Sequence, residues 1–150
     1  MPIITNDRDL RDVLNGLTDI QQRIIGASFA KSVLHLSRNE WVRRSVEIAQ
    51  NPDASEAELQ DALKAAKGYA AKTYTDCGKD TDWLAQADHF VAASAAAALT
   101  STDRLAQKTN PAWAAAVHAR MAKDCEAMQE EEGEMETEAQ RQYRIVNDSL

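Results

Sequence analysis

The sequence predicts an all-α fold, a single orthogonal or up-down bundle of about six to seven helices. Only five glycines and three prolines occur among the 150 residues. Strong helix formers, alanine above all, fill positions where strands would carry β-branched and aromatic residues. Two capping boxes and one Asn-Pro pair also mark helix starts. Because a chain of this length buries about 70% of its unfolded surface, we expect one helical domain over residues 1–150.

Apolar residues recur at the spacing of one helical face, i, i+3, i+4 and i+7, along most of the chain. We expect helices over about residues 6–14, 18–36, 40–50, 55–76, 82–99, 110–132 and 135–150. Thr18-Asp-Ile-Gln21 and Ser55-Glu-Ala-Glu58 fit capping boxes. Asn110-Pro111 places a capping residue before a proline at the first helical position. Further candidate caps are Thr5 or Asn6, Asn39, and Asp80 or Thr81.

The fifth predicted helix, about residues 82–99, is alanine-rich and central to the expected bundle. Its sequence from Trp83, WLAQADHFVAASAAAAL, is apolar on nearly every side. The alanines leave the face opposite Phe90 and Val91 nearly flat. We therefore expect other helices to pack closely on both sides of it.

The negative charge of the chain is concentrated in residues 126–138, which we call the acidic segment. Seven of the 24 acidic residues lie there, and the other 17 balance the 17 lysines and arginines. Such a run repels phosphates, so we expect no direct nucleic-acid binding through this face. It is either a solvated helix end or a binding face for a basic partner. The candidate partner-binding glutamates are Glu130, Glu131, Glu132 and Glu134.

Tryptophan beside arginine is the composition of protein-binding hot spots, and one such group occurs at the start of the third helix. Trp41 is flanked by Arg38, Arg43 and Arg44. The helical spacing also places Trp41 with Val42, Val46 and Ala49 on the inward face, where it would anchor the core. We predict that Trp41, Arg43 and Arg44 bind a partner.

No motif predicts catalysis, a cofactor or a metal site. The positions three before and four after each of His35, His89 and His118 hold no metal ligand, and no nucleophile elbow or Gly-rich loop occurs. Cys77 and Cys125 have neither metal nor redox spacing, so we expect reduced core cysteines. Without a signal peptide or an 18-residue apolar run, the protein should be cytoplasmic and bind no membrane.

A second hypothesis is a helical pocket protein that binds or sequesters a small ligand. The pocket would lie between the central helix and its neighbours. His89, Tyr69 and Trp83 would line it. The sequence also leaves open whether the protein forms a homodimer.

Several segments resemble an alanine-rich helical immunity protein family of bacteria and phages, similar to immunity protein family five. The segments are Ala30-Lys-Ser-Val-Leu-His-Leu36, Arg43-Arg-Ser-Val-Glu-Ile-Ala49, alanine-rich blocks with His89 and His118, and Glu138-Ala-Gln-Arg-Gln-Tyr-Arg-Ile145. The chain departs from that family at Phe29, Lys31, Trp41-Val42 and Tyr143, and the acidic segment is peculiar to it.

The resemblance implies a helical binding protein and carries over no catalytic residue. We therefore expect a non-enzymatic inhibitor, an immunity protein or a phage anti-defence protein of the anti-CRISPR kind. It would block a toxin, a nuclease or a defence complex sterically and electrostatically.

Overall fold

The structure, a computed structural model, describes residues 3–74, 82–101, 109–129 and 137–149, and these ranges are helical without a strand. The predicted all-α fold is thus confirmed. The helices of these ranges are α1 (Asp7–Asn15), α2 (Asp19–Ser32), α3 (Glu40–Gln50), α4 (Glu56–Thr73), α5 (Trp83–Leu99), α6 (Pro111–Gln129) and α7 (Glu138–Ser149), with a 3₁₀ turn at Leu34–Leu36.

Side-chain caps begin the helices where the sequence predicts them. Both capping boxes, at Thr18 and Ser55, are complete, and Asn39 caps α3. Asp82 caps α5, whereas the predicted caps Asp80 and Thr81 lie outside the described residues. The remaining caps are Asn6 for α1 and Asn110 for α6. Each cap satisfies backbone N–H groups that have no partner inside the helix.

Two helices end earlier than predicted. α2 stops at Ser32 because Val33 leaves the helical region, and the following 3₁₀ turn places Val33 and Leu34 in the core. α4 stops at Thr73, after which Tyr74 is extended. The Thr73 hydroxyl donates to Tyr69 O at 2.8 Å and lies 3.3 Å from Ala70 O, one of the last four carbonyls of this helix.

Helix α5 lies at the centre and packs against α6, α4 and α2, as the alanine-rich sequence predicts. Its inner positions and those of α6 are mostly alanine. The fully buried alanines of the two helices are Ala87, Ala92, Ala95, Ala112, Ala115, Ala116, Ala119 and Ala122. Small side chains let the backbones approach closely, so dispersion contacts between helices replace large interlocking side chains.

The closest approach is at Gly26 of α2. A Cβ at this position would lie 3.0 Å from Ala98 Cβ, 3.3 Å from Ala112 Cα and 3.4 Å from Ala115 Cβ. These atoms belong to α5 and α6, and none is the flexible end of a side chain. A methyl group here would require atoms of α5 and α6 to move by a few tenths of an ångström, so glycine favours this close packing of three helices.

A polar network joins α1 to the two C-terminal helices. Arg120 donates two hydrogen bonds to the Asp7 carboxylate, at 2.7 and 2.9 Å, and the Tyr143 hydroxyl donates to Asp7 Oδ1 at 2.7 Å. Arg120 Nε also donates to Gln142 Oε1 at 2.8 Å. The network holds α1, with its fully buried Leu10 and Leu14, against the bundle. The first helix is thus part of the core, although the charged side chain of Asp7 is about half exposed.

Replacing Gly26 by alanine should lower the free energy of unfolding by about 1–3 kcal/mol, because overpacking outweighs the gain in helix propensity. Gly68 of α4 is the matched control, since a Cβ there meets no atom within 4 Å. Gly68→Ala should raise the free energy of unfolding by about 0.5–1 kcal/mol. Urea denaturation of both variants measures the effect. Equal stabilisation by both substitutions would show that the three helices do not meet at Gly26.

Acid should weaken the network at Asp7. The hydrogen bond from Arg120 holds the pKa of the Asp7 carboxyl below its ordinary value of 3.8, against the opposing effect of burial. The charged Asp7 carboxylate therefore stabilises the fold fully above pH 3.8, and this contribution is lost as the pH falls through the lowered pKa.

We expect Asp7→Asn to lower the free energy of unfolding by about 1 kcal/mol at neutral pH, a value that allows for the partial exposure of the pair. The difference from wild type should disappear well below pH 3.8. Asp12→Asn, on the exposed side of the same helix, is the control and should change little. A pH-independent loss in Asp7→Asn would contradict this role.

Candidate functional site

Trp41, at the start of α3, is the largest exposed side chain near a cluster of positive charge. It is 61% exposed, whereas Val42, Val46 and Ala49 of the same helix are buried. The prediction that Trp41 faces inward is therefore wrong. Its side chain is exposed, as a residue that binds a partner must be. The reason is the helical spacing. The buried residues of α3, Val42, Ser45, Val46 and Ala49, form a stripe centred roughly 90° around the helix from Trp41.

Trp41 and the exposed residues Arg38, Arg43 and Arg44 form what we call the Trp41 surface. The Arg44 guanidinium carbon lies 5.0 Å from the centroid of the Trp41 ring, a cation–π contact. Arg43 Nε lies 3.8 Å from Glu40 Oε2 of the same helix. The contact with Arg44 restricts both side chains before any partner binds.

A buried aspartate fixes the position of this surface. Asp88 of α5 is 4% exposed and accepts the backbone N–H of Arg38 at 3.1 Å. Its other oxygen accepts the Tyr69 hydroxyl of α4 at 2.5 Å. The Asp88 carboxylate thus binds both α4 and the segment that leads into α3, and it holds that segment against the central helix. No local pattern predicts this role of Asp88, because an aspartate in a helix, here between Ala87 and His89, is rarely buried.

Tyr69 and His89, two of the three predicted ligand-binding residues, lie close together. Thr73 Oγ1 donates to Tyr69 O and lies 3.1 Å from His89 Nδ1. The Tyr69 hydroxyl is already engaged by Asp88. Trp83 is a further six residues back along α5, about 9 Å along the axis and roughly 120° around the helix from His89. The helix therefore does not direct Trp83 to the side occupied by His89.

Two cavities formed by the described residues lie elsewhere. One of about 510 Å³ is at the opposite end of α5, about 14 Å along the helix axis from His89. Its lining includes Ile20, Leu59, Leu63, Ala98 and Thr100. A second cavity, of about 520 Å³, lies between the N-terminal segment around Ile4 and Tyr143 of α7. Neither is lined by the predicted ligand-binding residues.

The four candidate glutamates of the acidic segment, Glu130, Glu131, Glu132 and Glu134, lie outside the described residues. The two ends of the segment are described, and both are buried. Glu126 pairs with Lys123 and lies 2.8 Å from His35 Nε2. Glu138 Oε1 lies 2.5 Å from Ser32 Oγ. These two glutamates, which composition alone groups with the segment, are internal partners and not part of a free acidic face.

The pKa values at this end follow from burial and pairing. Burial alone raises the pKa of Glu126, but hydrogen bonds from Lys123 and His35 outweigh it and hold that pKa below its ordinary value. Burial and the nearby His89 lower the pKa of His118, whose buried Nδ1 has no hydrogen-bond partner among the described residues. His118 is therefore a neutral packing residue, and its ring stacks on Phe90 at a centroid distance of 6.3 Å.

The remaining chemical expectations can be compared with the described part of the chain. Within it, no group of three or more histidine, cysteine, aspartate or glutamate side chains could hold a metal ion. Cys125 is buried, as predicted for a core cysteine, and Cys77 lies outside the described residues. Over the same ranges, no helix combines the length and the apolar character needed to cross a membrane.

Removing the Tyr69 hydroxyl should destabilise the fold. Burial, then the hydrogen bond to Asp88, raises the pKa of Tyr69 to about 12. Because the protonated form is the one favoured by folding, its contribution is full below the ordinary pKa of 10.0 and is lost as the pH rises towards 12. Tyr69→Phe leaves Asp88 with one donor fewer and should cost about 1–3 kcal/mol.

Alkaline titration followed by tyrosinate absorbance, together with urea denaturation, tests this role. Tyr69→Phe should remove the tyrosine that ionises near pH 12. Tyr74→Phe, at a residue that is 74% exposed, is the control and should keep that step and the stability. An unchanged titration in Tyr69→Phe would show that Tyr69 and Asp88 do not interact.

Comparison of the chain with models of known protein families, with curated proteins and with solved structures finds no match. The resemblance to the immunity protein family therefore stays a prediction. The geometry of the Trp41 surface is the starting point for assigning a function.

Proposed function

We propose that this protein is a non-enzymatic, cytoplasmic inhibitor that binds another protein through the Trp41 surface. The observation that carries the proposal is the 61% exposure of Trp41 on a helix whose Val42, Val46 and Ala49 are buried. An exposed indole costs hydration free energy in the isolated protein, and a partner that covers it recovers that free energy. The resemblance to immunity proteins, or to phage anti-defence proteins, supports the same class of function.

The surroundings of Trp41 favour binding with little loss of conformational entropy. Arg44 already lies over the ring at 5.0 Å, and Asn39 caps the first turn of α3. Asp88 also holds the preceding segment through the Arg38 N–H. Side chains and backbone that are ordered before association cost less to order in a complex. Tryptophan and arginine are the residue types that most often dominate such interfaces.

The pocket hypothesis remains the alternative. Its support is that Tyr69 and His89 lie on one side of the bundle, linked through Thr73. Its weakness is that the Tyr69 hydroxyl and His89 Nδ1 already have partners within the protein, Asp88 at 2.5 Å and Thr73 Oγ1 at 3.1 Å. A ligand would have to replace these bonds. The acidic segment, as a second contact with a basic region of the partner, also remains a hypothesis.

Affinity capture from a bacterial lysate, with proteins and small molecules both identified by mass spectrometry, tests the proposed function. The immobilised wild-type protein should retain a protein that Trp41→Ala does not retain. Loss of a central anchor costs at least about 2 kcal/mol, so the affinity should fall about 30-fold. Ile3→Ala, at a residue that is 73% exposed, is the control and should capture the same protein.

Both variants should melt close to the wild type, because exposed substitutions change stability by about 0.5 kcal/mol or less. Equal capture by all three proteins would exclude the Trp41 surface as the interface. A small molecule that copurifies, and is lost in His89→Ala, would instead support the pocket hypothesis.

A further inference from the structure

We propose that the partner presents an acidic protein surface, a group of carboxylates, to the Trp41 surface. This inference rests on the proposed function and specifies the chemistry of the partner at one face. It differs from the expectation drawn from composition, in which the acidic segment suggested a basic partner. The two expectations concern different surfaces of the molecule.

The first argument is charge. The Trp41 surface carries three exposed arginines around one indole. Within the described ranges, the only carboxylate within ion-pair distance of any of them is that of Glu40, at 3.8 Å from Arg43 Nε. Among the described residues, Arg44 thus has no carboxylate partner and lies next to an apolar ring, whereas the charge of Arg38 acts on Tyr69, which is bonded to Asp88. Complementary charge on a partner is the arrangement that gives fast and specific association.

The second argument is the geometry of arginine. A guanidinium presents five N–H donors in a plane, and a carboxylate accepts two of them at once. The contact with the Trp41 ring, 5.0 Å from centroid to guanidinium carbon, orients Arg44 without using a carboxylate of its own chain. A carboxylate that reaches Arg44 therefore also lies beside the indole. The indole excludes water from one side of the pair and strengthens it.

The third argument separates a protein from a nucleic acid. A nucleic acid carries a phosphate charge about every 1.7 Å, and proteins that bind it gain most of their affinity from many phosphate contacts at once. The Trp41 surface offers only three arginines, one of them beside Glu40. A small group of carboxylates on a protein meets only the local positive charge. An acidic protein surface is thus the anion that fits.

The probe for this inference is a short peptide in which glutamate and tyrosine alternate. Nuclear magnetic resonance distinguishes the indole N–H resonances of the three tryptophans, and Trp41→Phe identifies that of Trp41. The glutamate peptide should shift the Trp41 resonance, and added salt should weaken the effect. The same peptide with lysine in place of glutamate should not shift it.

Charge reversal supplies the matched comparison. Arg43→Glu combined with Arg44→Glu should weaken binding of the glutamate peptide at least about tenfold. Arg8→Glu, an equal change on the exposed side of α1, should leave binding unchanged. Charge reversal places two new glutamates near Glu40, and their repulsion destabilises α3. Arg43→Gln combined with Arg44→Gln removes the two positive charges without this repulsion. Weaker binding in this variant is therefore due to loss of charge and not to loss of folding.

Three outcomes would overturn the inference: no shift with the glutamate peptide, an equal shift with the lysine peptide, or tighter binding of an oligothymidine of the same charge. The capture experiment distinguishes this failure from that of the proposed function. A partner lost in Trp41→Ala but retained at wild-type affinity in the doubly charge-reversed protein would leave the proposed function standing and exclude an acidic contact. A partner retained in Trp41→Ala would exclude the proposed function itself.

Discussion

The close contact of α2, α5 and α6 at Gly26 is the constraint on which the rest of the bundle depends. A Cβ at Gly26 would lie only 3.0–3.4 Å from atoms of the two neighbouring helices, so the missing side chain lets the three helices pack this closely. The buried alanines of α5 and α6 extend the same contact along both helices. Larger residues, among them Phe29, fill the space around this centre. The position of α3 on the bundle follows from its packing against α2, α4 and α5.

Buried polar groups then connect the outer elements to this centre. Asp88, which is 4% exposed on α5, accepts from Tyr69 of α4 and from the backbone of Arg38. A carboxylate in this position is stable only because both of its oxygens accept hydrogen bonds. Its effect is to fix the segment that leads into α3. The exposed indole of Trp41, three residues later, is thus presented by a rigid support, as an interface anchor requires.

Much of this fold could be predicted because its signals are local. Capping residues and alanine content depend on neighbours in the sequence, and the boxes at Thr18 and Ser55 form as expected. A third box, in which Thr137 and Gln140 satisfy each other, has the same pattern but lies beside the glutamate run that dominates the composition there. The site was harder to predict. Exposure of Trp41 depends on how α3 rotates against α4, and the pairing of Glu126 with His35 joins residues far apart in the chain.

Amide hydrogen exchange of the protein, alone and with its captured partner, tests most directly whether the Trp41 surface is the interface. The method needs no substitution and reports every segment at once. We predict that slowed exchange on binding is concentrated in residues 38–47, which contain the Trp41 surface and the first half of α3. Slowed exchange confined to α6 and α7, or to the residues around the cavity at Leu59 and Leu63, with residues 38–47 unchanged, would contradict the proposed interface.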